Sequence, residues 1–277
     1  MGEPLGEAAQ RAARVYGAAA DHFGLPALSF WDRFGADTVT RLGLTAGNNV
    51  LDLCCGAGGS AIPAARAVGP AGRVLGIDVA VPLLEQARAR AAAENLGHVE
   101  FRHGDVTRTG LPAGGFDAVI CVFGVFFVPD MVAFIAEMWR LTGPGGVLAI
   151  TTWGPGLFEP ANTVFWDGVR AIEPSLFKAF NPWDEITTPQ ALRDLYARAG
   201  VAGADALAVP AQHELDSPDR FWDVALGTGY RATIDALSGD QRELLRDRVL
   251  GRLRAQQVTT LQTNVVFGKA VRAGDRA

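Results

Sequence analysis

A glycine-rich junction between a predicted strand and a predicted helix is the segment of this sequence best suited to bind a charged ligand. The apolar run Asn49–Leu53 leads into Cys54-Cys55-Gly56-Ala57-Gly58-Gly59, and Ser60 begins a predicted helix. Glycine lets the backbone turn sharply and lets a ligand approach closely, beside the positive end of the helix. The junction alone is a weak signal, because Gly56–Ala61 also fits the general fingerprint of dinucleotide-binding loops.

Three aspartates lie at or near the ends of successive predicted strands. Asp52 precedes the glycine loop, Asp78 ends the next strand, and Asp105 follows the third strand after Gly104. A carboxylate placed like Asp78 can accept both hydroxyls of a ribose, while Asp105 and the Val106 amide suit the amino edge of an adenine. Single aspartates at such places are usually turn formers, but three together favour a nucleoside site.

The charge of Asp52 separates two classes of ligand. A carboxylate just before the loop would repel a pyrophosphate at the helix N-terminus, as in an NAD(P)-dependent oxidoreductase. The same carboxylate would attract the ammonium and sulfonium charges of S-adenosylmethionine. The sequence therefore favours the methyl donor, with the oxidoreductase as the alternative.

Five segments in this order resemble the motifs of the class I S-adenosylmethionine-dependent methyltransferase family, and most of all its small-molecule branch of quinone-ring and natural-product methyltransferases. The resemblance covers about residues 44–153, and Cys54 stands where a glycine is more usual. The segments are Val50–Gly58, Gly76–Asp78, Gly104–Val106, Phe116–Phe123 and Leu141–Leu148. The resemblance implies methyl transfer from S-adenosylmethionine to a small apolar or aromatic acceptor, with S-adenosylhomocysteine as product. A non-catalytic methyltransferase-like binding protein is a further alternative.

The resemblance also implies site residues. The side chain of Cys54 is expected to point away from the donor. Donor-binding residues are expected at Asp52, Cys54, Gly56, Gly58, Asp78, Val79, Leu83, Gly104, Asp105, Val106 and Val122, with Tyr16 and Trp31 from the N-terminal segment. Acceptor-binding residues are expected at Phe123, Phe126, Phe127 and Trp153, for which core packing is the alternative. His22 is the candidate general base, with a structural or donor-contact role as its alternative, and no metal is expected.

The alternation of predicted strands and helices indicates an α/β fold, a Rossmann-like doubly wound, mostly parallel seven-stranded sheet with N-terminal helices and a helical cap. Residues 1–43 are predicted to be helices that cover the donor site. Residues 44–277 are predicted to form the methyltransferase domain, with cap insertions at about 154–188 and 217–256. Late in the chain, Asp205–His213 and Thr259–Val271 are each predicted to be one strand.

Composition limits the classes of partner. With 277 residues and a net charge of −5, the chain is globular in character and would repel a phosphate backbone, so no nucleic-acid partner is expected. No apolar run is long enough for stable membrane insertion and no signal pattern is visible, which predicts a cytoplasmic protein whose partner is a small-molecule acceptor. Cys54, Cys55 and Cys121 lie in apolar stretches and are predicted to be packing residues. The oligomeric state is left open, a homodimer being one alternative.

Overall fold

Nine strands form the framework of the computed structural model, which describes residues 5–274. Residues 1–4 and 275–277 of the predicted segments lie outside the described residues. The strands are β1 (Asn49–Leu53), β2 (Arg73–Asp78), β3 (Val99–His103), β4 (Phe116–Val122), β5 (Thr142–Trp153), β6 (Asp205–Val209), β7 (Gln212–Glu214), β8 (Thr260–Gln262) and β9 (Val265–Val271).

Seven of these strands pair in the order β3-β2-β1-β4-β5-β9-β6, which confirms the predicted seven-stranded sheet. Strands β1 to β5 are parallel to one another, whereas β9 is antiparallel to both β5 and β6. The sheet order reverses at β1, where β2 lies on one side and β4 on the other. A crevice opens at the carboxyl ends of the strands at such a point, and ligands of doubly wound folds bind there.

Within the described range 5–274, ten α-helices flank the sheet or form a layer over its end. They are α1 (Glu7–Ala19), α2 (Phe30–Thr40), α3 (Ala61–Val68), α4 (Val81–Ala93), α5 (Met131–Leu141), α6 (Ala161–Ile172), α7 (Pro189–Arg198), α8 (Phe221–Leu226), α9 (Arg231–Asp235) and α10 (Gly239–Ala255). No helix within residues 5–274 combines the length and the apolar character needed to cross a bilayer.

Strand β1 shows why the sequence folds as a buried parallel sheet. Val50, Leu51 and Leu53 are fully buried, so the run is apolar on both faces, as strands covered by helices on both sides require. Strand β1 pairs with β2 and β4 in register, which places the residue after Leu53 at the crevice. The glycine loop therefore begins where a ligand can reach it.

Two strand predictions are wrong in their extent. Asp205–His213 is divided into β6 and β7, because Pro210 has no N–H to continue the ladder. Thr259–Val271 is likewise divided into β8 and β9, and β8 pairs with β7 in a separate two-stranded sheet. The Asn264 side chain holds the break between β8 and β9, since it accepts from Ala211 N at 3.0 Å and donates to Pro155 O at 2.8 Å.

The two segments in which cap insertions were predicted contain helices that pack against each other. Helices α6 and α10 pack closely at Gly168, where an added Cβ would lie 2.8 Å from Leu245 Cδ1. Phe165 and Tyr230 are buried in the cap, with ring centroids 4.6 Å apart. The aromatic richness of these segments therefore serves partly as the core of the cap.

Candidate functional site

Two adjoining cavities lie at the carboxyl ends of the central strands. The first is bounded by the glycine loop and Asp78. The second has a volume of about 690 Å³ and lies between α1, α6 and the irregular segment before α7. Both cavities are lined by one common set of residues, which we call the shared wall: Ala12, Tyr16, Trp31, Phe123 and Phe127.

The glycine loop turns through left-handed backbone conformations at Cys54, Gly56 and Gly58, with φ of 62°, 51° and 84°. Two of its amides, Cys54 N and Cys55 N, donate to the Ile77 carbonyl at 2.9 and 3.2 Å. Gly56 faces the first cavity without a side chain, and Leu83 Cδ1 lies 3.8 Å from where its Cβ would be. The loop can therefore admit a ligand close to its backbone.

Cys54 departs from the usual glycine, and a second glycine accommodates it. Its side chain contacts Cys121 and Gly124, where an added Cβ would lie 2.4 Å from Cys54 Cβ and 2.7 Å from its Sγ. Gly124 therefore leaves the space that the Cys54 side chain occupies. No sequence signal distinguished Gly124, which is 70 residues away (124 − 54).

Asp78 is fixed at the edge of the first cavity by backbone amides. Its Oδ2 accepts from Gly56 N and its Oδ1 from Ala80 N, both at 2.8 Å. Burial raises the pKa of the Asp78 carboxyl, and these backbone donors oppose that shift. Each oxygen keeps a further lone pair, so the carboxylate can accept two neighbouring hydroxyl groups.

Asp52 lies beneath the loop and does not line either cavity. It is fully buried, its Oδ2 accepts from Ser60 Oγ at 2.7 Å, and its Oδ1 has no hydrogen-bond partner in residues 5–274. Burial raises the pKa of the Asp52 carboxyl to about 7, so it is only partly ionised at neutral pH. The charge argument from the sequence is therefore weakened, and any effect of Asp52 on a ligand is through space.

The structure brings most of the expected donor residues to the first cavity, but five of them, Asp52 included, lie elsewhere. Gly58 packs against Ile62, and Val106 is in the main core. Asp105 accepts from Thr107 and from Gly6 N at 3.4 Å, and neither it nor Gly104 lines the cavity. The residues brought together are Tyr16, Trp31, Cys54, Gly56, Asp78, Val79, Leu83 and Val122.

Helix α2 is fastened to the glycine loop by contacts that the sequence did not reveal. An added Cβ at Gly35 would lie 2.2 Å from Gly59 O. Beside this contact, Arg90 forms an ion pair with Asp32 at 3.0 Å and donates to Ala57 O at 2.9 Å. These contacts hold Trp31 over the first cavity.

The four expected acceptor residues, Phe123, Phe126, Phe127 and Trp153, all line the second cavity. Phe123 stacks on Trp153 with ring centroids 3.8 Å apart, and Trp31 meets Phe123 edge-on at 5.5 Å. Tyr16 meets Phe127 edge-on at 5.1 Å. The aromatic side chains therefore form an apolar boundary between the two cavities.

His22 is not brought to either cavity, so the geometry gives its predicted role as general base no support. Its Nδ1 lies 2.6 Å from Asp21 Oδ1, and its Cβ would be 3.2 Å from a Cβ at Gly227. The connection between α1 and α2 turns this residue towards the cap. Sequence proximity to the aromatic cluster did not reveal that direction.

A partly buried polar network in the wall of the second cavity was also missed. Tyr230 Oη donates to Asn162 Oδ1 at 2.7 Å, and Asn162 Nδ2 donates to Glu159 Oε1 at 2.9 Å. Glu159 and Asn162 are three positions apart, whereas Tyr230 lies 68 positions after Asn162. Their types alone gave no signal.

Comparison with known proteins agrees with this geometry. A family model described as a methyltransferase domain matches residues 50–146. The demethylmenaquinone methyltransferase of Lactococcus lactis is 30% identical over 188 residues, which are 63% of this chain and 73% of that protein. That of Geobacillus kaustophilus is 37% identical over 123 residues, 44% of this chain. The chain spans 53% of the length of that relative, and about half the length of several others.

Among solved structures, YcgJ from Bacillus subtilis superposes with a TM-score of 0.57 and 14% sequence identity. The match covers 87% of this chain and 99% of that one. At this identity the likeness concerns the fold alone.

Proposed function

Because this chain belongs to the class I methyltransferase family, we propose that it transfers the methyl group of S-adenosylmethionine to a small aromatic acceptor with a quinone-like ring. The observation that carries this proposal is that the cavity at Asp78 and the glycine loop shares an aromatic wall with a larger cavity. The acceptor class is supported by the names of the relatives and by the aromatic side chains of Phe123, Phe127 and Trp153.

The residues of the first cavity suit the methyl donor. Asp78 would accept the ribose hydroxyls, and the apolar side chains of Val79 and Leu83 would lie against the adenine. The electron-rich faces of Tyr16 and Trp31 would stabilise a positive charge next to them. When bound, S-adenosylmethionine supplies a methyl carbon made electrophilic by the positive sulfur beside it.

The shared wall would contribute mainly by positioning and by excluding water. Within the described part of the chain it carries no carboxylate and no imidazole, and its polar side-chain groups are the Tyr16 hydroxyl and the Trp31 indole N–H. Burial, with the nearby Asp78 carboxylate, raises the pKa of Tyr16, so its hydroxyl stays protonated and can donate a hydrogen bond. We infer that the acceptor brings its own acidity, as a hydroquinone does.

The oxidoreductase alternative is disfavoured by the antiparallel β9 between β5 and β6, because the dinucleotide-binding order is wholly parallel. Calorimetric titration with S-adenosylmethionine, S-adenosylhomocysteine and NADH in parallel tests the proposal. We expect the two adenosyl ligands to bind and NADH not to bind. Binding of NADH alone would overturn the proposal. A donor that binds but is never consumed when hydroquinones are offered would favour the non-catalytic alternative.

A further inference from the structure

Two exposed, positively charged side chains line the outer part of the second cavity. Arg11 belongs to α1, and Lys178 belongs to the segment after α6. Neither forms an ion pair or a side-chain hydrogen bond with any residue in the range 5–274. They therefore approach the same cavity from separate parts of the chain with their donors unused.

The acidic residues of this cavity are already engaged. Asp184 accepts from Asn181 N at 2.7 Å, and Asp167 pairs with Arg252 at 3.2 Å. Glu159 accepts from Asn162 and from Thr163. Glu159 and Asp184 keep their negative charges, but within residues 5–274 none of these carboxylates pairs with Arg11 or Lys178.

The two cations repel each other across the cavity. Partial loss of contact with water is the largest cause that lowers the pKa of Lys178, and the charge of Arg11 is the second. Two like charges held near each other raise the free energy of the folded protein. An anion between them would replace this repulsion by two attractions and would form charge-assisted hydrogen bonds.

We propose that the acceptor carries a carboxylate, which Arg11 and Lys178 bind at the outer end of the second cavity while its ring lies against the shared wall. This inference rests on the proposed function, since it concerns the acceptor of that reaction. Arg11 and Tyr16 are five residues apart on α1, which places them about 7.5 Å apart along the helix axis. A fused two-ring acceptor with its acid group far from the methylated atom fits this separation.

Binding of two matched ligands to the whole protein tests the inference. The ligands are the hydroxynaphthoic acid whose hydroxyl and carboxyl groups lie at opposite ends of the rings, and the naphthol that lacks the carboxyl group. Both are titrated calorimetrically, with and without saturating S-adenosylhomocysteine. We expect the acid to bind about tenfold more tightly than the naphthol, as two charge-assisted contacts would give, and this preference to fall with added salt.

Variants of the protein test whether Arg11 and Lys178 cause the preference for the acid over the naphthol. Arg11→Gln and Lys178→Gln should each remove most of it while leaving the Kd of the naphthol unchanged. Arg14→Gln is the control, because Arg14 is an exposed arginine of the same helix that lines neither cavity. Equal binding of acid and naphthol, or an equal loss in Arg14→Gln, would overturn the inference.

The carboxylate inference and the methyltransferase proposal can fail separately. If S-adenosylhomocysteine binds and the acid preference is absent, the carboxylate inference fails and the methyltransferase proposal stands. If S-adenosylhomocysteine does not bind, the methyltransferase proposal fails, and with it the identification of the acid as a methyl acceptor.

Discussion

Replacing Gly35 by alanine should weaken donor binding without disturbing the sheet. The added Cβ would lie 2.2 Å from Gly59 O, 2.4 Å from Gly59 C and 2.8 Å from Ser60 N. Ordinary contact begins at 3.4 Å, so α2 and the glycine loop must separate by about 1.2 Å (3.4 − 2.2). All three atoms belong to the backbone, so a change of rotamer cannot relieve the clash.

The free-energy cost of this clash has an expected size. Overpacking of this kind typically costs about 1–3 kcal/mol. Because the clash lies between the loop and the helix that carries Trp31, we expect much of this free energy to appear as a loss of affinity for the donor. Since about 1.4 kcal/mol corresponds to a factor of ten, the Kd of S-adenosylmethionine should rise roughly tenfold or more.

The Kd is measured by calorimetric titration of Gly35→Ala with S-adenosylmethionine. Circular dichroism and thermal unfolding show whether the fold and the Tm are unchanged. Gly24→Ala is the matched control, because Gly24 lies in the same N-terminal region and no atom lies within 4 Å of its added Cβ. The control should bind the donor as the native protein does. A native Kd and a native Tm for Gly35→Ala would refute the role given to this contact.

Three further predictions follow from the site and the cap. Asp78→Ala should weaken binding of S-adenosylmethionine by about 1.5–3 kcal/mol, since a charge-assisted contact is lost, and an unchanged calorimetric Kd would contradict the assignment. Burial raises the pKa of Asp52 from 3.8 to about 7, so its stabilising contribution is full below the unfolded value and is lost as the pH rises through 7. Asp52→Asn should therefore flatten the fall in the free energy of urea unfolding between about pH 4 and pH 7, and an unchanged slope would count against the buried carboxyl. Gly251→Ala, in an exposed part of α10 with no atom within 4 Å of the new Cβ, should stabilise the fold by about 0.5–1 kcal/mol, and a lowered Tm would contradict this.

The sequence by itself determined the alternation of strands and helices from β1 to β5, the glycine turn and the place of Asp78. These features depend on local patterns. Strand β1 is apolar on both faces, Gly56 and Gly58 take a backbone conformation that glycine adopts readily, and Asp78 bonds to amides within its own loop and the neighbouring one. Such requirements are visible in residue types at short spacing.

The tertiary structure alone decided which side chains meet. The burial of Asp52, the direction of His22 and the contact of Asp105 with Gly6 each depend on elements far apart in the chain. The same holds for the close contact of Gly35 with the glycine loop and for the presence of Arg11 and Lys178 in the lining of one cavity. Residue type and spacing fix what one segment can form, whereas the free energy of packing between distant segments fixes which groups share a cavity and which charges are left without a partner.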